Sequence, residues 1–137
     1  MNAFIRGSCL CGKVTFRVAN HFQAFNLCHC VQCRKITGSA HASNLFAAPG
    51  ALALEWTAGQ ELLHTFDHPD NHFRKVFCRE CGSGLPYLSR RTGMMIVPAG
   101  SLDQEPSLAP QHNIFWEEHA QWYDTACSAP HSTGFPQ

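Results

Sequence analysis

The stretch Cys28-His29-Cys30-Val31-Gln32-Cys33 places three thiols within a run of six residues. Two tight cysteine pairs lie on either side of it in the sequence, Cys9-Leu10-Cys11 and Cys78-Arg79-Glu80-Cys81. Thiolates are preferred ligands of zinc, and a Cys-x-x-Cys spacing lets two sulfurs share one ion. Cys-x-Cys presents two sulfurs on the same side of an extended chain, because side chains there alternate with a period of two. These spacings predict metal binding that ties distant parts of the chain together.

The seven clustered cysteines divide naturally into four plus three, and Cys127 stands alone. A zinc ion with four cysteine ligands is closed and structural, whereas three protein ligands leave the open position typical of a catalytic site. The spacing favours a division in which the central group forms the open site and the outer pairs form the closed one. In the alternative division, Cys30/Cys33 and Cys78/Cys81 form an ordinary zinc ribbon and leave Cys9, Cys11 and Cys28. A further interpretation is that both ions only stabilise the fold.

The histidines near these clusters are weaker candidates for metal ligation. In an extended chain the side chain of His29 points away from those of Cys28 and Cys30, so we predict a core or supporting position for it. The histidines at positions 64, 68 and 72 have helical spacing, but Pro69 breaks any helix between them, which favours a solvated loop. Cys-x-x-Cys also serves as a redox pair, but usually beside a βαβ pattern that this sequence lacks.

Composition excludes several classes of protein. The 137 residues predict one domain, which we place at residues 1–124, followed by a loosely held tail at residues 125–137. Ten basic side chains balance ten acidic ones, so there is no electrostatic basis for binding nucleic acid or an anionic membrane. The N-terminus lacks the apolar segment of a signal peptide, and no apolar run is long enough to span a membrane. We therefore expect a cytoplasmic protein with reduced thiols.

The pattern of apolar residues predicts a mainly β fold with little helix. Residues 12–19 alternate, with Val14, Phe16 and Val18 on one face, which is typical of a half-buried strand. A short helix is predicted from near Cys30 to Gly38, since glycine favours the left-handed conformation just past a helix. Residues 113–123 fit either a strand or a helical turn. Further strands are predicted at residues 41–47, 52–56, 60–67, 72–77, 85–89 and 94–99.

Three segments of the chain contain the cysteine clusters: Gly7-Ser8-Cys9-Leu10-Cys11-Gly12-Lys13-Val14, Cys28-His29-Cys30-Val31-Gln32-Cys33-Arg34-Lys35-Ile36-Thr37-Gly38-Ser39 and Phe77-Cys78-Arg79-Glu80-Cys81-Gly82-Ser83. In this order they resemble a known family, the glutathione-dependent formaldehyde-activating enzymes, which includes the centromere protein V group. His112 and Trp122 also resemble the C-terminal signature of that family.

The resemblance implies a β-tent of antiparallel sheets, stapled by two zinc ions per chain. It also implies the activity of the family, a carbon–sulfur lyase that joins glutathione to formaldehyde as S-(hydroxymethyl)glutathione. Finally, it implies which division of the cysteines holds. The structural zinc would be bound by Cys9, Cys11, Cys78 and Cys81, and the catalytic zinc by Cys28, Cys30 and Cys33.

An open zinc suits this chemistry, because a thiol that coordinates the ion loses its proton and becomes a nucleophile at neutral pH. We therefore expect an enzyme that forms or cleaves a thiol–carbonyl adduct, with a small-molecule thiol such as glutathione as its partner. Arg34 and Lys35 are candidates for neutralising the thiolates or for binding a substrate carboxylate. The alternatives are a lyase acting on a different small thiol and a non-catalytic, zinc-stabilised binding or interaction module.

Overall fold

The computed structural model describes residues 3–47 and 53–136. Within these ranges the chain forms eleven β-strands, one α-helix and four 3-10 helices. The strands are β1 (Phe4–Ser8), β2 (Thr15–Ala19), β3 (Phe22–Cys28), β4 (Ala42–Ala47), β5 (Leu54–Ala58), β6 (Leu63–Asp67), β7 (Arg74–Cys78), β8 (Gly84–Leu85), β9 (Tyr87–Leu88), β10 (Met95–Pro98) and β11 (His112–Ile114). The α-helix is α1 (Val31–Thr37), and the 3-10 helices are Gln60–Leu62, Ala99–Ser101, Trp116–Glu118 and Gln121–Ser128.

These strands form three sheets, with the orders β1-β2-β5, β11-β3-β4-β10-β9 and β6-β7-β8. The pairs are antiparallel except that β11 runs parallel to β3. The predicted mainly β class is therefore confirmed. The antiparallel expectation holds for every ladder except the one at the edge of the five-stranded sheet.

The alternating stretch that predicted a strand supplies the centre of the core. Val14, Phe16 and Val18 are all buried, while Arg17 between them is exposed. Phe16 packs edge-on against Trp56 of β5, with ring centroids 5.7 Å apart. The ring also lies against Gly7, where a Cβ atom would overlap the ring carbons of Phe16. A glycine at position 7 is therefore required by the packing of β1 on β2.

The predicted helix is confirmed, together with the residues that begin and end it. Cys30 is the N-cap, and its sulfur accepts a hydrogen bond from the Cys33 amide at 3.4 Å. Gly38 ends the helix in the left-handed conformation at φ 63°, as its sequence position predicts. The short helix therefore begins within the central cysteine group.

Some elements differ from the sequence-based prediction. Strand β3 was not predicted, because its apolar residues do not alternate strictly and a register shift interrupts its pairing with β4 between Phe22 and Ala24. Residues 60–62 form a 3-10 helix that precedes β6 rather than part of a strand. The ambiguous residues 113–123 contain the end of β11 and then two 3-10 segments. Leu52 and the Pro49-Gly50 strand end lie outside the described residues.

The C-terminal segment is mostly exposed from residue 124 onward. The 3-10 helix Gln121–Ser128 nevertheless continues past that point. The division between a domain ending at residue 124 and a loosely held tail therefore stays a prediction.

Candidate metal centres

Four cysteines from two distant parts of the chain lie together. Their sulfur atoms are all within 4.8 Å of one another, and the residues are Cys9, Cys11, Cys78 and Cys81. Cys9 and Cys11 occupy the turn between β1 and β2, whereas Cys78 ends β7 and Cys81 lies in the turn before β8. The Sγ atoms of Cys11 and Cys78, 67 positions apart in sequence, are separated by 3.9 Å.

Hydrogen bonds from neighbouring groups favour thiolates in this four-cysteine group. The amide of Val14 donates to Cys9 Sγ at 3.3 Å, and the amide of Glu80 donates to Cys78 Sγ at 3.4 Å. The hydroxyl of Ser83 lies 3.3 Å from Cys81 Sγ, and this hydrogen bond lowers the pKa of Cys81 to about 5. Hydrogen bonds thus reach three of the four sulfurs. Four sulfurs this close suit a divalent cation, and thiolates select zinc among the common ones.

A second group contains the three remaining clustered cysteines. The sulfur atoms of Cys28, Cys30 and Cys33 also lie within 4.8 Å of one another. Cys28 ends β3, Cys30 caps α1, and Cys33 lies in the first turn of that helix. Local chain geometry alone therefore positions all three sulfurs.

The three thiols do not ionise together on their own. A hydrogen bond with Cys33 lowers the pKa of Cys28 to about 6. The same hydrogen bond, together with burial and the neighbouring thiolates, raises the pKa of Cys33. Only a cation would let all three sulfurs carry negative charge, because like charges this close oppose one another. The donor set therefore fits a metal ion with one coordination position left over.

These are the two sets that the favoured division predicts. The alternative zinc ribbon would require Cys30 and Cys33 to lie beside Cys78 and Cys81, and the structure does not bring these two pairs together. Each set can hold a metal ion. The identity of the ions and the roles of the ligands stay predictions. Cys127 is exposed and belongs to neither set.

His29 is a core residue, as predicted. It is fully buried, and its Nε2 atom lies 2.8 Å from Asn113 Oδ1 of β11. Its amide donates to the carbonyl of Ile114 at 3.0 Å, so the parallel β3–β11 pairing continues past Cys28. The rings of His41, Trp116 and Tyr123 surround the imidazole, with centroids about 5 Å away. The C-terminal segment thus covers the side chain of His29, which lies in sequence between the candidate ligands Cys28 and Cys30.

A cavity of about 200 Å³ adjoins the three-cysteine group. Cys33 forms part of its lining, together with Thr37 of α1 and His41. Lys75 of β7 and Tyr87 of β9 also line it, and sequence reasoning missed both because no local motif marks them. Burial, together with the neighbouring cysteine charges, raises the pKa of Tyr87 to about 12, so its phenol stays protonated.

Arg34 and Lys35 lie on another side of α1. The Arg34 guanidinium donates to the carbonyl of Glu118 at 2.8 Å, which links the helix to the C-terminal segment. Both basic residues line a separate surface cavity beside Trp122, and neither lines the cavity next to Cys33. The structure therefore gives no support to the roles expected for this pair from the sequence, which are neutralising the thiolates or binding a substrate carboxylate.

The stripe of three histidines is also separate from both cysteine groups. His64 is exposed on β6, and His72 is exposed before β7. The imidazole of His68 instead accepts a hydrogen bond from the Asp70 amide at 3.0 Å within the intervening turn. The expected solvated loop is thus observed around residues 68–73, although His64 belongs to a strand.

Comparison with known families matches these observations. A family model described as glutathione-dependent formaldehyde-activating enzyme matches residues 4–118, a range that includes both cysteine groups. The chain belongs to this family. Among members of the glutathione-dependent formaldehyde-activating family, a Halomonas elongata protein named "Putative glutathione-dependent formaldehyde-activating enzyme" is 28% identical over 125 residues, covering 88% of this chain and 80% of the relative.

A solved structure supports the fold. The crystal structure of a Rhodobacter sphaeroides protein superposes with a TM-score of 0.57 and 25% identity, covering 77% of this chain and 92% of the other. Within the described residues, none of the helices is long and apolar enough to cross a membrane.

Proposed function

We propose that this protein is a zinc-dependent carbon–sulfur lyase that forms or cleaves a thiol–carbonyl adduct, similar to S-(hydroxymethyl)glutathione synthase. The observation that carries the proposal is the three-cysteine group beside a cavity that Cys33 itself lines. Family membership supports glutathione and formaldehyde as the substrate classes. Eight free cysteines in the chain suit the reducing cytoplasm, where we place the activity.

The two cysteine groups have different roles in this proposal. Cys9, Cys11, Cys78 and Cys81 offer four ligands, which fill a tetrahedral zinc and leave no position for substrate. Cys28, Cys30 and Cys33 would offer three ligands, which leaves one of the four positions of a tetrahedral zinc for a substrate, and Cys33 lines the cavity. When bound there, zinc supplies a deprotonated thiol nucleophile at neutral pH and polarises the carbonyl oxygen.

The reaction is balanced without a redox partner. The sulfur of the thiol forms a bond to the carbonyl carbon, the π bond of the carbonyl breaks, and the thiol proton ends on the oxygen. The reverse reaction breaks the same carbon–sulfur bond. In the cavity, the protonated phenol of Tyr87 is a hydrogen-bond donor, which suits it to stabilise the developing charge on the oxygen.

The experiment compares Cys30→Ser with wild type and with Cys127→Ser, which alters an exposed cysteine outside both groups. The rate of adduct formation from glutathione and formaldehyde is measured on zinc-loaded protein, with the spontaneous reaction subtracted. We expect acceleration by wild type and Cys127→Ser, and loss of that acceleration together with about half of the zinc in Cys30→Ser.

Equal rates for wild type and Cys30→Ser, with several thiols tried, would contradict the enzyme proposal. The non-catalytic binding module would then be the better account. Acceleration with another small thiol but not with glutathione would retain the lyase chemistry and change its substrate.

A further inference from the structure

Lys75 is a half-buried basic residue in the wall of the cavity beside Cys33. Burial lowers the pKa of its ammonium, because partial removal from water disfavours the charged form. Among residues 3–47 and 53–136, no carboxylate lies within 4.0 Å of its Nζ atom. A partly buried charge without a carboxylate partner is costly, so an anionic group of a ligand at this position would be favoured.

The other basic side chain of this cavity already has an acid partner. Arg74 precedes Lys75 in β7, and its guanidinium makes two hydrogen bonds to the carboxylate of Asp67, at 2.7 and 2.9 Å. Lys75 is thus the cation of this cavity that is left to bind a ligand.

Lys75 also lines a second, larger cavity of about 650 Å³ beside the four-cysteine group. The second cavity includes Cys9 and Gly84. The two cavities share five lining residues and therefore adjoin, and we call the two together the groove. They have in common Ile36, Thr37, Lys75, Pro98 and Gly100.

The space occupied by the ammonium depends on a glycine. A Cβ atom at Gly84 would lie 2.5 Å from Lys75 Nζ and 3.1 Å from its Cε atom. Gly84 lies in β8, which pairs with β7 through Val76–Leu85 and Phe77–Gly84. The absence of a side chain at position 84 therefore leaves room for the end of the Lys75 side chain.

We propose that Lys75 binds a carboxylate of the thiol substrate and so selects thiols that carry a carboxylate over neutral ones. The inference rests on the proposed function, since it places the sulfur of that substrate beside Cys33. Lys75 and Cys33 line the same cavity, and this shared lining is what lets one ligand contact both side chains. The continuation of the groove past Lys75 leaves room for substrates longer than the cavity itself.

The test measures dissociation constants by isothermal titration calorimetry on zinc-loaded protein without aldehyde. The probes are mercaptopropionate and mercaptopropanol, which differ in having a carboxylate or a neutral hydroxyl group. We expect wild type to bind mercaptopropionate about tenfold more tightly than mercaptopropanol. This factor is at the lower end of what a hydrogen bond to a charged group contributes. Lys75→Met should remove this preference, and the matched control Lys35→Met, altering an exposed lysine outside the groove, should keep it.

Gly84→Ala supplies an independent variant, because it displaces the ammonium without removing the charge. We expect it to reduce the preference at least threefold, and it carries the test if Lys75→Met does not fold. A full preference retained in both variants would overturn the inference.

Two other outcomes separate the inference from the proposed function. Equal weakening of both thiols in Lys75→Met would show that Lys75 neutralises the cysteine thiolates instead, and would overturn the inference alone. Absence of binding of either thiol to wild type would contradict the inference and the proposed function together.

Discussion

Replacing Cys78 by Ser should destabilise the protein more than replacing Cys33 by Ser. Both thiols are buried, so the local cost of the substitution is similar. The four-cysteine group connects Cys11 to Cys78 across 67 positions, whereas Cys28 and Cys33 are only five positions apart. The entropic cost of closing a loop grows with the logarithm of its length in residues. The difference between the 67-residue loop and the five-residue loop therefore amounts to about 2 kcal/mol in the free energy of unfolding.

This difference corresponds to about 6–12 °C in melting temperature for a domain of this size. The assay is denaturant unfolding of both variants, followed by circular dichroism, with zinc content measured on the same samples. Cys127→Ser is the control and should match wild type, because its side chain is exposed. A Cys78→Ser variant at least as stable as Cys33→Ser would refute the argument that a metal ion joins the outer cysteine pairs.

Three further predictions concern metal content, acid release and packing. Elemental analysis of protein purified without added metal should give about two zinc ions per chain, and a value of one or less would contradict the four-plus-three division. Ser83→Ala removes the hydrogen bond that lowers the pKa of Cys81, so the thiolate should take up a proton at a higher pH than in wild type. On acidification, zinc should therefore be released from this group at a higher pH. Zinc release to a chelator, measured across pH, checks this prediction, with Ser128→Ala as the control variant. A release midpoint equal to that of the control would contradict it. Gly7→Ala should cost about 1–3 kcal/mol of unfolding free energy because it overpacks against Phe16, and unchanged stability would show that the ring moves freely.

Local pattern predicted some elements well and others poorly. Strand β2 was predictable because Val14, Phe16 and Val18 repeat with the period of a strand and face one core. Helix α1 was predictable because Gly38 marks its end. Strand β3 was not, since a register shift interrupts the pattern of its apolar residues.

The sequence by itself determined which cysteines can hold a metal ion, because the spacing within each cysteine cluster already brings its sulfurs close together. The central group is complete within six residues, and its geometry follows from a strand end and a helix cap. Only the tertiary structure decided which outer pairs meet and what faces the central group. Lys75 and Tyr87 line the cavity beside Cys33, which precedes them by more than 40 positions. Asn113 reaches His29 through the parallel β3–β11 ladder. Such contacts join residues far apart in sequence, and no local pattern of side chains specifies them.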